Sequence, residues 1–338
     1  MDLNTVWFLL IGVLLVGYAI LDGFDLGVGV LHLFARDDQE RRLYINAIGP
    51  VWDGNEVWLL TAGGALFAAF PVVYATIFSG FYLAMMLLLV ALIARAVSME
   101  FRGQVDHPGW RKVWDCAFGL GSLTAALLFG VALGNVFRGL PIAADGTLDV
   151  AFLSLLNPYS LLIGLVTLTV FTMHGAAFLA LKTEGELRLR MARWTTGGWG
   201  VAVLLYVIAT IATWWASPSM MEGLLGNPLL WLLVLVLTAA AISVPITARS
   251  ERFLRAFLAS AVMIAAMIGL MGLGLYPRMA PSNIDPSHSL TIYNASSSPR
   301  TLTVMLVIAL IGMPLVIGYT AMIYRVFLGK VVITKDSY

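Results

Sequence analysis

Four carboxylates interrupt stretches of sequence that are otherwise apolar. Asp22-Gly23-Phe24-Asp25 lies within the first apolar run, and Trp52-Asp53-Gly54-Asn55-Glu56-Val57-Trp58 opens the second. Each acidic pair is spaced i, i+3, so on a helix its two carboxylates share one face, about 4.5 Å apart along the axis. A charged side chain at membrane depth costs roughly 2.5 to 3.5 kcal/mol on insertion scales, so each needs a partner or a task. Like charges in a low dielectric cannot all ionise, and a cluster of Asp22, Asp25, Asp53 and Glu56 on neighbouring helices can hold and pass protons. Two structural readings compete with this. Asp53 can cap the second helix, close behind Gly49-Pro50, and Asp22 can pair with a backbone amide or with an arginine on another helix. Glycines 23, 27, 29, 54, 63 and 64 read as sites of close helix packing, and Arg95 and Glu100 as residues that snorkel or pair at the interface.

The remaining chemistry-bearing residues are sparse. Of the four histidines, His32 falls at a helix end, His107 and His288 in loops, and only His174 deep within an apolar run. A b-type haem needs two buried axial ligands, and these positions offer no facing pair, so the chain is expected to ligate no haem; His174 reads as a hydrogen-bonded core residue. One cysteine, Cys116, excludes an intrachain disulfide, a cysteine-based zinc site and a c-type haem attachment pair.

The elements that must position the carboxylates follow from composition. Of 338 residues, 60% are hydrophobic and 12% charged, against roughly 45 to 50% and 25% in soluble domains, which excludes a soluble enzyme. A net charge of +1 gives no reason to expect nucleic acid as a partner. No basic residue precedes Arg36, so the first apolar run reads as a retained span and not a secretory signal. Nine runs approach the roughly 20 residues needed to cross the hydrocarbon core: 6–34, 52–70, 72–99, 113–137, 155–181, 194–215, 228–247, 253–276 and 302–324. Of the 20 Lys and Arg, 17 follow odd-numbered spans, from Arg36 to Lys335, and only Arg138, Arg278 and Arg300 follow even-numbered ones. Basic residues stay on the cytoplasmic side, which predicts an outside N-terminus and an inside C-terminus. Trp7, Trp114, Trp194, Trp214, Trp215 and Trp231 sit near span ends as interfacial anchors. The two longer hydrophilic segments are 36–51, with a short surface helix over 37–48, and 277–301. Neither can hold a catalytic domain, so the chemistry belongs inside the membrane or in a partner.

Four stretches carry a resemblance to a known family: Asp22-Gly23-Phe24-Asp25-Leu26-Gly27, Gly49-Pro50-Val51-Trp52-Asp53-Gly54-Asn55-Glu56-Val57-Trp58, Gly63-Gly64 with Phe67-Ala68-Ala69-Phe70-Pro71, and Asn294-Ala295-Ser296-Ser297-Ser298 with Thr301-Leu302. Asn157-Pro158 and Thr183-Glu184-Gly185-Glu186-Leu187 agree more weakly. Across essentially its whole length the chain resembles subunit II of the cytochrome bd-type quinol oxidases. The resemblance implies an all-α polytopic protein of two four-helix bundles, 1–137 and 138–276, with a peripheral ninth helix within 277–338. It implies a haem-bearing subunit I as partner, holding haem b and haem d together with the quinol-oxidising loop, and a bacterial inner-membrane location. Carried over, Asp22, Asp25, Trp52 and Asp53 line a hydrophilic path from the cytoplasm, and Trp58 lies near an apolar oxygen route. Some members hold a quinone in subunit II, although no motif here marks such a site, and a small single-span subunit joins some complexes. Val51 stands where other members have His, Glu56 where others have Gln, and the connection at 216–227 is short.

The function expected is therefore that of the non-haem subunit of a quinol:oxygen oxidoreductase, inert by itself, which feeds cytoplasmic protons to oxygen reduction. An ion-coupled transporter, for which Pro245 and Pro314 within spans would suit, and a purely structural scaffold are the rival expectations.

Overall fold

Turn residues and caps punctuate the apolar runs, and the helices begin where those marks stand. The structure, a computed structural model, describes residues 2–333; Lys335, one of the basic residues used to orient the chain, lies outside them. Helix α1 (Leu3–His32) is capped by Asp2, which accepts from the Thr5 amide at 2.8 Å. The surface helix α2 (Asp38–Ile48) is capped by Asp37, which accepts from the Glu40 amide at 2.9 Å, as expected for 37–48. There follow α3 (Trp52–Ala69), α4 (Pro71–Gly80), α5 (Tyr82–Phe101), α6 (Pro108–Arg138), α7 (Pro158–Lys182), α8 (Gly185–Ala216), the single turn α9 (Pro218–Met221), α10 (Pro228–Arg249), α11 (Phe253–Leu275) and α12 (Pro299–Val326). Asn157 and Asn227 cap α7 and α10, each with proline at the next position.

Among the described residues, eight helices are long and apolar enough to cross a membrane, and α3 with α4 passes the same test only as a pair bent by 119°. The expectation of one continuous span over 72–99 is corrected: that stretch is α4 and α5, broken at Phe81. Pro71 cannot donate an amide to the preceding turn, so α3 stops and α4 restarts in a new direction. Hydropathy is as high on either side of the break, and composition carries no direction. The bend is held from outside. Ser297 donates its amide to the Ala69 carbonyl at 2.8 Å and its hydroxyl to the Ala68 carbonyl at 2.6 Å, using acceptors that the end of α3 leaves open.

Helix α7 is central, packed along α6, α8, α1 and α11. Its crossing with α1 is backbone on backbone: a Cβ added to Gly27 would lie 1.9 Å from the Phe171 carbonyl oxygen, and one added to Gly175 would lie 2.6 Å from the Gly27 carbonyl carbon. Gly23 and Gly29 also face close neighbours, the Phe171 ring at 2.9 Å and the Ser122 hydroxyl at 2.0 Å from an added Cβ, as the packing reading requires. At glycines 54, 63 and 64 an added Cβ would meet nothing within 4 Å among the described residues, so the packing reading has no support there within this chain. They lie on the outer face of α3, which at these positions meets no other described residue. The loop 277–301 forms a small antiparallel pair, β1 (Arg278–Ala280) and β2 (Leu290–Thr291), bound to the segment after α6 through the Leu140 amide and the Pro281 carbonyl. This pair covers the end of the bundle opposite α2. Helix α12 lies at the periphery, and within it only Leu302 is fully buried.

Candidate functional site

The carboxylates of α1 and α3 converge on an arginine. Arg95 of α5 is fully buried and grips Asp22 with two prongs, Nη2 to Oδ1 at 2.6 Å and Nη1 to Oδ2 at 3.2 Å. The same Nη1 donates to Glu56 Oε2 at 3.0 Å, and Nη2 lies 4.0 Å from Asp25 Oδ2. One guanidinium thus faces three carboxylates from two other helices, a geometry its planar fork suits. Of the expectation that Arg95 snorkels or pairs at the interface, the pairing stands and the place is corrected: its partners lie inward, and a buried cation goes where its counter-charges are. Glu100, one turn further along, is exposed. Arg95 also leaves the set of basic residues that mark a cytoplasmic loop.

Of the two structural readings, the one for Asp22 describes the structure: it pairs with an arginine on another helix. The one for Asp53 does not, since Val51 occupies the N-cap of α3 without a side-chain cap bond. Asp53 is exposed and forms no hydrogen bond or ion pair among the described residues. The expected cluster of four is three carboxylates around Arg95, with Asp53 one helical turn nearer the start of α3, beyond the arginine's reach.

Asn55 completes the site. It is buried, donates through Nδ2 to Asp25 Oδ2 at 2.7 Å and to the Leu21 carbonyl at 3.3 Å, and accepts at Oδ1 from the Tyr324 hydroxyl of α12 at 3.1 Å. Asp25 Oδ1, the Tyr18 hydroxyl and Arg95 Nε are buried without a hydrogen-bond partner among the described residues. Asn55, Tyr18 and Tyr324 were not singled out from the sequence. Asn55 sits between two carboxylates in a motif already marked, and that was a usable signal; nothing local marks Tyr324. Trp52, half-buried, packs on the apolar core at the α2 end. Trp58 packs against Gly17 of α1, whose hypothetical Cβ would stand 2.1 Å from the indole.

Each of the four histidines has a hydrogen-bond partner within the chain. His174 donates Nε2–H to the Ile20 carbonyl at 3.0 Å, places Nδ1 within hydrogen-bond distance of the Ser260 hydroxyl at 2.6 Å, and stacks on Phe257 at 4.6 Å. His107 caps α6, His288 binds the Ile142 carbonyl at 3.2 Å, and His32 is locked to Asp115 at 2.7 Å. That last contact belongs to a second ion cluster, in which Arg102 binds both Asp115 and Asp38 and so ties α2 to α5 and α6.

The family model for cytochrome bd terminal oxidase subunit II matches residues 3–327. The chain belongs to that family. It is 37% identical over 368 residues to cytochrome bd-I ubiquinol oxidase subunit 2 of Escherichia coli (strain K12), covering 99% of this chain and 96% of that one. To cytochrome bd ubiquinol oxidase subunit 2 of Bacillus subtilis (strain 168) it is 39% identical over 334 residues, covering 98% and 97%. In fold it is similar to a chain in the structure of bd oxidase from Geobacillus thermodenitrificans, with a TM-score of 0.78 at 20% sequence identity, covering 97% of this chain and 99% of that chain. This subunit II is a multi-pass protein of the bacterial inner membrane. Its family-specific stretches gather at two places. Asp22–Gly27 and Gly49–Trp58 build the arginine cluster, while Phe67–Pro71 and Asn294–Thr301 build and hold the bend between α3 and α4.

Proposed function

We propose that this chain is the non-haem subunit of a quinol:oxygen oxidoreductase and that its arginine cluster passes cytoplasmic protons to the subunit where oxygen is reduced. The observation that carries this is three carboxylates around one buried guanidinium in a chain of the terminal-oxidase family. A guanidinium balances one carboxylate. The others keep full charge only at the cost of burying it, so they are where a proton can rest and from which it can move. Asp22 is the fixed counter-ion, Asp25 and Glu56 are the carriers, and Trp52 and Asp53 line the cytoplasmic side of the path. Trp58 belongs to the apolar side that admits oxygen. Haem b, haem d and the quinol site belong to the partner subunit I, consistent with histidines engaged elsewhere; a quinone or a small single-span subunit can join without using the cluster. The chain divides into 1–137 and 138–276, two four-helix bundles, with α12 beside them.

The test is co-purification in mild detergent. Haem, a second large subunit and quinol-dependent oxygen consumption are expected to elute together with this chain, and a chain that elutes alone and colourless while ion flux persists in vesicles would favour a transporter instead. Orientation is tested separately. Reporter domains fused after Arg42, Arg190 and Arg252 are all expected to report the cytoplasm, and a periplasmic signal from any of them reverses the direction of the path.

A further inference from the structure

At the α2 end of the molecule a cavity of about 250 Å³ lies between the turn from α2 to α3, the end of α7 and the segment after α12. Asn46 and Val51 line one side, Phe178 another, and Phe327 and Val332 a third, with Tyr324 also in the wall. The third wall is fixed. Lys182 donates to the Phe327 carbonyl at 2.7 Å, Lys330 donates to the carbonyls of Leu181 and Thr183 at 2.7 and 2.8 Å, and the Val331 amide donates to the Lys182 carbonyl at 2.9 Å. These reciprocal bonds strap the end of α12 across the end of α7, so the cavity is built by the fold. Both ammonium groups keep their charge, and the main-chain carbonyls they donate to partly offset its field in the space between them.

Tyr324 belongs to two places at once. It lines this cavity, and its hydroxyl donates to Asn55 Oδ1 at 3.1 Å, while Asn55 Nδ2 holds Asp25 Oδ2 at 2.7 Å. Two hydrogen bonds therefore join the cavity wall to a fully buried carboxylate of the cluster. We infer that this cavity is the cytoplasmic mouth through which protons reach Asp25, with Tyr324 and Asn55 as positioning residues that hold the Asp25 carboxylate toward it. The inference rests on the proton-path reading of the cluster and adds where that path begins. An amide is a poor proton carrier, so Asn55 is assigned orientation alone; Asp25 is fully buried and does not itself line the cavity, and the proposed step takes a proton from cavity water past Asn55 to a carboxylate oxygen of Asp25 and on toward the partner, with no net change in either residue.

The test uses the whole oxidase complex in vesicles with the α2 end outward, in a Cys116→Ser background, Cys116 being exposed and the chain's only cysteine. Val332→Cys and Phe327→Cys are each treated with a small methylating thiol reagent or with a bulky maleimide dye, with the background complex treated in parallel to remove effects on the partner. The bulky adduct is expected to lower proton uptake and oxygen consumption at least fivefold at both positions with haem content unchanged, whereas the small adduct leaves both rates within twofold. Tyr324→Phe is expected to slow uptake severalfold and to steepen its dependence on external pH, which loss of packing alone would not do. Full turnover with both bulky adducts, while Asp25→Asn is slow, overturns the mouth and leaves the cluster reading standing. Full turnover in Asp25→Asn overturns both.

Discussion

Arg95→Met is expected to abolish assembly of the subunit. The substitution leaves Asp22 fully buried with Glu56 and Asp25 close by and no cation among them. Removing one member of a buried ion pair costs roughly 3 to 5 kcal/mol, a large share of the roughly 5 to 15 kcal/mol that keeps a domain folded. Arg95→Lys is expected to be intermediate, since a single ammonium cannot make the two-pronged contact with Asp22 and still reach Glu56. Adding Asp22→Asn to Arg95→Met is expected to recover part of the loss, because the amide removes the charge that has no partner. The measurements are complex yield and thermal unfolding in detergent. An Arg95→Met complex that melts with the unmodified one would mean that the cluster is hydrated and its charges are not held by Arg95.

Asp25→Asn is expected to slow quinol-driven oxygen consumption and inward-side proton uptake together, by at least tenfold, while haem content stays normal. The amide has nearly the shape of the carboxylate and still accepts the Asn55 hydrogen bond, so packing survives and only the ability to bind a proton is lost. Asp53→Asn is expected to slow the same rates only a few-fold. Its exposed carboxylate stands in water at the start of α3, where solvent can take over its role, and it does not cap the helix. Reconstituted vesicles with each variant separate the two effects. Unchanged turnover and uptake in Asp25→Asn would reduce the cluster to a structural ion pair and leave the subunit as a scaffold.

Much of this protein is determined locally and can be read from its residues. Asn-Pro and Asp caps, the surface helix behind Asp37 and the apolar runs other than 72–99 all depend on neighbours a few residues apart, and they stand close to where the sequence puts them. The i, i+3 carboxylate pairs are also local, and three of their four members share one site. What the sequence alone does not carry is direction and partnership. Phe70 and Pro71 stop α3, but the 119° bend is shaped by Ser297, more than two hundred residues away. Arg95 looks like an interfacial residue at the end of its run, and only the approach of α1 and α3 turns it into the centre of the cluster. Tyr324 has no neighbouring signal at all; it joins the site because α12 returns against α1 and α3. Charge, capping and hydropathy act over one or two helical turns, whereas which buried charge meets which is decided by how the helices pack, and the low dielectric of that packed interior makes the choice energetically decisive.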